Sequence, residues 1–328
     1  VLFQIVMGRT LSPEEYGIMA SMLGIGLVIA TPMAALQNTL AHITGNLVAQ
    51  QRHGDVRRVV SRWTRRILII DIVLFILMLA ARRYLADFFH LASPWPVLII
   101  LTTLFIGAFS PVIYGALQGV QAFVWMSAAG QSWGFIRLIL GSVLVVWFAP
   151  VALSGIIAHS LGNVIAIILG VLGIFFVIPR EPPSGQPLPM SDRYFLLSVL
   201  ALFGFSILMN ADLILVKHYF AKPEEYGMYA RASTIARTMF FLASPLAAAM
   251  FPKVVSSGTW SREQGQTLVK GLLLAGGMIA VILALWLVFP GIPLLILFKD
   301  STPSSDVLRL VRLVSCAMAP LGLTYLIL

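Results

Sequence analysis

Of the chain's 328 residues, 59% are hydrophobic and 11% charged, and the mean hydropathy is +0.94. Soluble domains carry about 25% charged residues, so this composition excludes a soluble globular domain and indicates a polytopic membrane protein. The formal net charge is +9, but no polar segment is long enough to present a basic face, so the charge is expected to set topology and not to bind nucleic acid.

In chain order, Val1 to Met7 reads as the end of a first helix, far short of the roughly 20 residues a span needs. Leu328 falls inside another apolar run, so the chain reads as truncated at both ends, within helix 1 and after helix 10. Gly8 to Gly17 is a polar turn. Helix 2 is predicted over Ile18 to Ala41 and contains Pro32. Gly45 to Arg66 reads as a basic loop, with Arg52, Arg57, Arg58, Arg62, Arg65 and Arg66 against Asp55 alone. Helix 3 spans Ile67 to Ala81, and Asp71 there is expected to pair at the interface with Arg65 or Arg66. Helix 4 runs from Val97 to Leu117 with Pro111 inside, and the link Gln118 to Ser127 carries no charge. Helix 5 covers Ala128 to Phe148 and holds Arg137; helix 6 covers Val151 to Ile178 and holds His159 and Asn163.

The segment 179–193, rich in Pro, Ser and Gly, reads as a flexible cytoplasmic linker between a bundle at 1–178 and another at 194–328. Helix 7 follows over Tyr194 to Phe220, helix 8 over Met228 to Phe251 with Pro245, helix 9 over Thr267 to Phe289, and helix 10 from Val307 onward. Proline kinks a membrane helix, which makes Pro32, Pro111 and Pro245 candidate hinges. The lone Cys316 allows no internal disulfide and is read as a packing residue.

The arginines after helix 2 mark the cytoplasmic side. Alternation then puts the loops after helices 2, 4, 6 and 8 inside, where eleven Lys and Arg lie, against eight on the other side.

Pro13-Glu14-Glu15-Tyr16-Gly17 recurs as Pro223-Glu224-Glu225-Tyr226-Gly227, 210 positions later. Thr31-Pro32 is echoed by Ser244-Pro245, and Pro111 by Pro320. Anchors at nearly one offset indicate a duplication the size of half a transporter. The fold class expected is all-α, with two pseudo-symmetric six-helix bundles formed by parallel repeats. In both turns the carboxylates follow a proline at a helix start, where they suit the positive end of the dipole.

Charge inside apolar helices is expensive and marks candidate sites. Asn210, Asp212 and Lys217 lie on helix 7, and Arg231 and Arg237 on helix 8. Asp212 and Arg237 are nearly equidistant from the intervening turn and form a candidate ion pair, whose charges either neutralise each other or serve transport. In the functional reading Arg231, Arg237 and Lys217 line a cavity for an anionic head group, because a guanidinium fork suits phosphate. Asp212 is then the coupling site for a proton or sodium ion, with Asn210 beside it. Arg137 either faces that cavity or snorkels to the cytoplasm. His159 reads as a packing histidine. Gln37, Asn38 and His42 on helix 2 are uncharged, so the first repeat lacks the arginines of the second.

The phosphate loop GxxxxGK[ST], the HExxH motif and paired-cysteine metal patterns are all missing from the sequence, and no polar segment is long enough for a catalytic domain. No enzyme activity, catalytic residue, metal site or cofactor is expected, and transport remains.

The run from Asn210 to Phe220, the following PEEYG-Met-Tyr-Ala, the phased Pro245 and Phe251-Pro252 resemble the polysaccharide and oligosaccharide flippases. These belong to the superfamily that includes the multidrug and toxic compound extrusion transporters. Leu11 to Gly17 is similar to their first-repeat turn, and Ala116-Leu117-Gln118-Gly119 with Phe123 to their helix 4 exit. The resemblance implies a plasma-membrane flippase of twelve or fourteen helices for polyprenyl pyrophosphate-linked oligosaccharide, serving cell-surface polysaccharide synthesis by ion-coupled alternating access. It implies pyrophosphate binding at Arg231, Arg237 and Arg137, with the lipid bilayer and polysaccharide assembly enzymes as partners. Two alternatives stay open: a cation-coupled multidrug exporter of the same fold, which Asp212 favours, and a membrane glycosyltransferase or polymerase, which needs an extramembrane catalytic domain.

Overall fold

The computed structural model describes residues 2–188, 192–220, 222–239 and 262–327. Among them there are helices and no strand, and seven stretches are long and apolar enough to cross a membrane. In chain order the helices are α1 (Leu2–Thr10), α2 (Pro13–Ala49), α3 (His53–Ala80), α4 (Arg82–Phe88), α5 (Trp95–Gly107), α6 (Ser110–Gly119), α7 (Phe123–Val143), α8 (Ala152–Val177), α9 (Asp192–Tyr219), α10 (Pro223–Ala236), α11 (Arg262–Val288), α12 (Gly291–Phe298) and α13 (Ser305–Ile327). A π-helical turn, Leu144–Phe148, closes α7. This is the all-α membrane architecture expected.

Several boundaries differ from the sequence expectation. α2 has 37 residues, or about 55 Å at 1.5 Å per residue, against about 30 Å of hydrocarbon. It continues past the apolar stretch, and α3 begins at His53, so the basic region is helical and not a loop. Arginines outside hydrocarbon are good helix formers and need no break. The predicted helix 4 is two helices, α5 and α6, broken before Pro111. Proline removes its own N–H and crowds the carbonyl four residues back. Around the break the bonds shorten to three-residue spacing, Phe109 N to Ile106 O at 3.5 Å and Val112 N to Phe109 O at 3.1 Å. α2, by contrast, runs through Pro32 as one helix. Pro245 and the second half of the predicted helix 8 lie outside the described residues. Cys316 is exposed, so it does not fill the core.

The chain divides into two compact units, Val1–Phe3 with Ile18–His218, and Gln4–Gly17 with Tyr219–Leu328. This grouping differs from the division at 179–193: α9 belongs with the first unit. Two hydroxyls on facing helices account for it, since Ser206 Oγ donates to Leu27 O at 3.0 Å and Ser21 Oγ to Leu213 O at 3.4 Å. Such bonds join membrane helices because the alternative is a bare carbonyl in hydrocarbon.

In the first unit α7 and α8 pack along their lengths, with α5 and α6 also against α8. Leu36, Leu40, Ile43 and Leu47 form a stripe on α2 that meets Val56, Val59 and Trp63 of α3 and Val112 and Ala116 of α6. α6 approaches α2 through Gly115-Ala-Leu-Gln-Gly119, a small-xxx-small pattern. A Cβ on Gly115 would lie 2.6 Å from Gln37 O, and one on Gly119 would overlap the Thr44 hydroxyl. In the second unit α13 packs against α10 and α11. Outward faces are apolar, as lipid requires: Ile69, Ile70 and Val73 on α3 and Phe135 and Ile139 on α7 are all more than half exposed.

The linker is tied down. Asp55, fully buried at the start of α3, receives the Ser184 hydroxyl, and the Ser184 N–H at 3.2 Å. Arg52 Nε donates to the same carboxylate at 2.8 Å. The Ser184 hydroxyl, followed by Arg52, holds Asp55 below the ordinary carboxylate value of 3.8. Its stabilisation is therefore complete above pH 3.8 and fades as the pH falls below it. Asp55→Asn is expected to cost about 1–2 kcal/mol and to speed tryptic cleavage after Arg180. A wild-type-to-variant gap in unfolding temperature that does not shrink below pH 3.8 counts against an ionised Asp55.

Candidate functional site

The first unit gathers polar groups around Arg137. Arg137 lies on α7, one turn after Trp133, and its guanidinium carbon sits 3.8 Å from the Trp133 ring centroid and 5.1 Å from that of Phe3. A guanidinium on an indole face is held by cation–π attraction, worth about 0.5–2 kcal/mol and most when desolvated. Arg137 Nε is buried with no hydrogen-bond partner, and no carboxylate lies within ion-pair distance among the described residues. His159 on α8 meets the Trp133 ring edge-on, centroids 5.2 Å apart, and its buried Nδ1 also lacks a partner. Asn163, one turn on, donates from Nδ2 to Thr103 O at 3.3 Å, and the Thr103 and Ser160 hydroxyls bond to each other. The packing reading of His159 holds for its ring, but the ring lies against the indole that carries Arg137.

α9 contributes Asn210, Asp212 and Lys217 to the same unit. Asn210 and Lys217 are buried and Asp212 half-buried. Asn210 Nδ2 donates back to Ser206 O at 3.0 Å, as an amide inside an apolar helix must when water is absent. Asp71, expected to pair with Arg65 or Arg66, forms no ion pair within 4.0 Å among the described residues, and its Oδ2 is buried without a partner.

The second unit holds the other cations. Arg231 on α10 lies 3.8 Å from Asp300 Oδ2 and 5.2 Å from the Phe298 ring centroid, and its Nε has no hydrogen-bond partner. Asp300 follows α12, a short helix that hydropathy alone did not reveal, so this partner was not legible in the sequence. Arg237 is the C-cap of α10, buried, with Nε donating to Ser233 Oγ at 3.1 Å. Tyr16, fully buried, hydrogen-bonds Gln4 and Thr234 at 2.9 Å each and meets Phe298 edge-on at 5.0 Å. Arg9 donates from Nε and Nη2 to Ile296 O at 3.1 and 2.7 Å.

The duplicated PEEYG turns meet in this unit. Each opens a helix at its proline, with its glutamates in the first turn. Tyr226 lies where a Cβ on Gly17 would be, and Pro13 O where a Cβ on Gly227 would be. The glycine is thus a packing requirement of the motif. Neither glycine has a positive φ, so steric fit and not backbone freedom selects it.

No protein-family model and no curated protein matches the sequence. Solved structures do match. One, described as the inward-facing conformation of a multidrug resistance MATE family transporter of the MOP superfamily, is 13% identical, with a TM-score of 0.66 over 96% of this chain and 75% of its own. A second, a MATE protein in the bent conformation, is 16% identical, with a TM-score of 0.59 over 100% of this chain and 82% of its own. The chain has the MATE fold. At these identities the likeness speaks to the fold alone. Among the described residues no group of three or more His, Cys, Asp or Glu side chains is placed to hold a metal.

Gly227→Ala is expected to lower the unfolding temperature of the purified protein by several degrees, through overpacking worth about 1–3 kcal/mol. Gly130→Ala, where nothing lies within 4 Å of the added carbon, is expected to leave it unchanged or slightly raised. Equal effects at both sites would show that the PEEYG contact carries no packing constraint.

Proposed function

We propose that the chain is a membrane exporter working by alternating access, and that its substrate is a polyprenyl pyrophosphate-linked oligosaccharide. The observation that carries this is Arg137: a guanidinium seated on an indole inside an apolar helix, with a buried N–H unbonded and no carboxylate against it among the described residues. A half-buried cation with an unbonded N–H and no counter-ion is costly unless a ligand supplies the negative charge at some stage of the cycle. Within the second unit Arg231, whose Nε is also unbonded, and the buried Arg237 are guanidinium groups that suit an anion of the same chemistry. Lys217 is a further buried cation of the first unit. The lipid tail stays in the bilayer while pyrophosphate and glycan cross. The arginine-rich end of α3 is the cytoplasmic side of the plasma membrane, so the loops after the predicted helices 2, 4, 6 and 8 face inward, where polysaccharide assembly enzymes supply the lipid. Pro111, at the break between α5 and α6, is the hinge best supported by local geometry.

A cation-coupled multidrug exporter is the second reading. The description of one structural relative as a multidrug resistance transporter favours it, and so do the carboxylates of Asp71 and Asp212 within apolar helices. The two readings differ in the sign of the charge that does the work.

Vesicles containing the full chain separate them. The flippase reading expects transbilayer movement of a pyrophosphate-linked oligosaccharide lipid, slowed about tenfold or more by Arg137→Gln, by Arg231→Gln or by Arg237→Gln, the effect of losing one charge-assisted hydrogen bond. Movement unaffected by all three changes makes these arginines structural. No lipid movement, with export of a cationic dye that Asp71→Asn or Asp212→Asn abolishes, establishes the exporter reading instead.

A further inference from the structure

The first unit carries an open, shallow surface cavity that the arginines leave unused. It has a volume of about 370 Å³ and lies where the end of α2 meets the end of α6, lined by His42, Asn46, Gln118, Gln121 and Phe123 around Gly45 and Gly119. That size is at the lower end of the roughly 300–1,000 Å³ of small-molecule sites. Among the described residues no Asp, Glu, Lys or Arg lines it, although α3, the next helix in the chain, begins within a few residues and is rich in arginine.

The site is built by close helix packing. The Gly115-to-Gly119 pattern brings α6 against the backbone of α2, so that Ala41 O would lie 2.6 Å from a Cβ on Gly119. That approach sets amide side chains of the two helices side by side, Gln37 Nε2 donating to Gln118 Oε1 at 3.1 Å, and within α2 Asn46 Nδ2 lies 3.1 Å from His42 Nε2 one turn earlier. Each amide carries two N–H donors and an acceptor oxygen, so a single side-chain bond leaves further capacity facing the cavity. Phe123 opens α7 at the rim and is 53% exposed.

Uncharged donors and acceptors in pairs, beside an exposed aromatic face, match one chemistry better than others. Sugar hydroxyls both donate and accept, and the C–H face of a pyranose lies flat on an aromatic ring. An anionic group would find no cation here, and a drug-like cation no carboxylate. We infer that this cavity is a saccharide subsite, binding a neutral pyranose of the substrate's glycan through Asn46, Gln118 and His42, with Phe123 stacked on the sugar. The inference rests on the lipid-linked oligosaccharide reading above and deepens it. Recognition is then divided by chemistry: guanidinium groups take the pyrophosphate, and amides take the sugar.

Binding to the purified full chain tests it with two radiolabelled probes, a polyprenyl pyrophosphate carrying one N-acetylhexosamine and the same polyprenyl pyrophosphate without sugar. Wild type is expected to bind the sugar-bearing lipid about tenfold more tightly, the worth of one or two good hydrogen bonds with a stacking contact. Asn46→Ala and Phe123→Ala, both at exposed positions, are expected to remove most of that gap and to leave the affinity for the bare lipid unchanged. Phe123→Trp keeps the gap. Retained binding of the bare lipid reports that each variant is intact.

Equal wild-type affinity for the two lipids overturns the subsite while leaving the flippase reading in place. So does a gap that survives in both alanine variants, or a loss of affinity that is equal for both lipids. Binding of neither lipid by wild type removes the flippase reading itself, and the subsite with it.

Discussion

A polar group inside hydrocarbon must find its partner within the protein, and the rest of this structure depends on that constraint. Hydroxyls inside the apolar helices meet it locally. Thr39, Thr44, Thr103, Ser142, Ser160 and Thr234 each donate to the carbonyl four residues earlier. Asn210 does the same with its amide. Serines that do not turn back reach a neighbouring helix, as Ser21 and Ser206 do, and so decide which helices belong together. The few groups that stay unmatched, among them Arg137 Nε, His159 Nδ1, Asp71 Oδ2 and Arg231 Nε, are then informative. Each represents a cost that packing alone does not explain.

Because lipid is as apolar as leucine, burying leucine does not by itself drive these helices together. Close contact does, and glycine permits it. The Gly115-to-Gly119 pattern lets α6 rest on the backbone of α2, and the glycines of the two PEEYG turns let those turns meet. The repeat is therefore more than a trace of duplication. Its tyrosines are buried, its prolines start helices, and its glycine is the place where the other copy fits. The same economy of space shapes the polar cavity at the α2–α6 crossing, since the amides can face one another only where the backbones approach.

The charged groups divide into kinds that a count of residues does not separate. Arg52 is paired outside the membrane core, with a carboxylate that also ties down the linker. Arg231 is loosely paired with Asp300 and leans on Phe298. Arg137 leans on an indole and has no carboxylate against it among the described residues. From tight ion pair to aromatic seat the carboxylate contact weakens and then disappears among the described residues, and Arg137 stands at the end of that progression.

The sequence by itself determined the class of solvent, the rough placement of the long apolar helices, and the duplication. Those follow from composition and from runs of apolar residues, which are local properties. α8 was legible to within a residue at each end because polar or proline-containing segments bound it on both sides. The basic loop was misread because arginine marks where hydrocarbon stops, not where a helix stops, and α2 and α3 run on into water. Helix partners were decided only by tertiary structure. Asp300 beside Arg231, Trp133 beneath Arg137 with His159 at its edge, and α9 in the first unit all depend on which face of one helix meets another. Periodicity names the faces of a helix; it does not say which neighbour each face will find, because that choice is made by shape and hydrogen bonding between segments far apart in the chain.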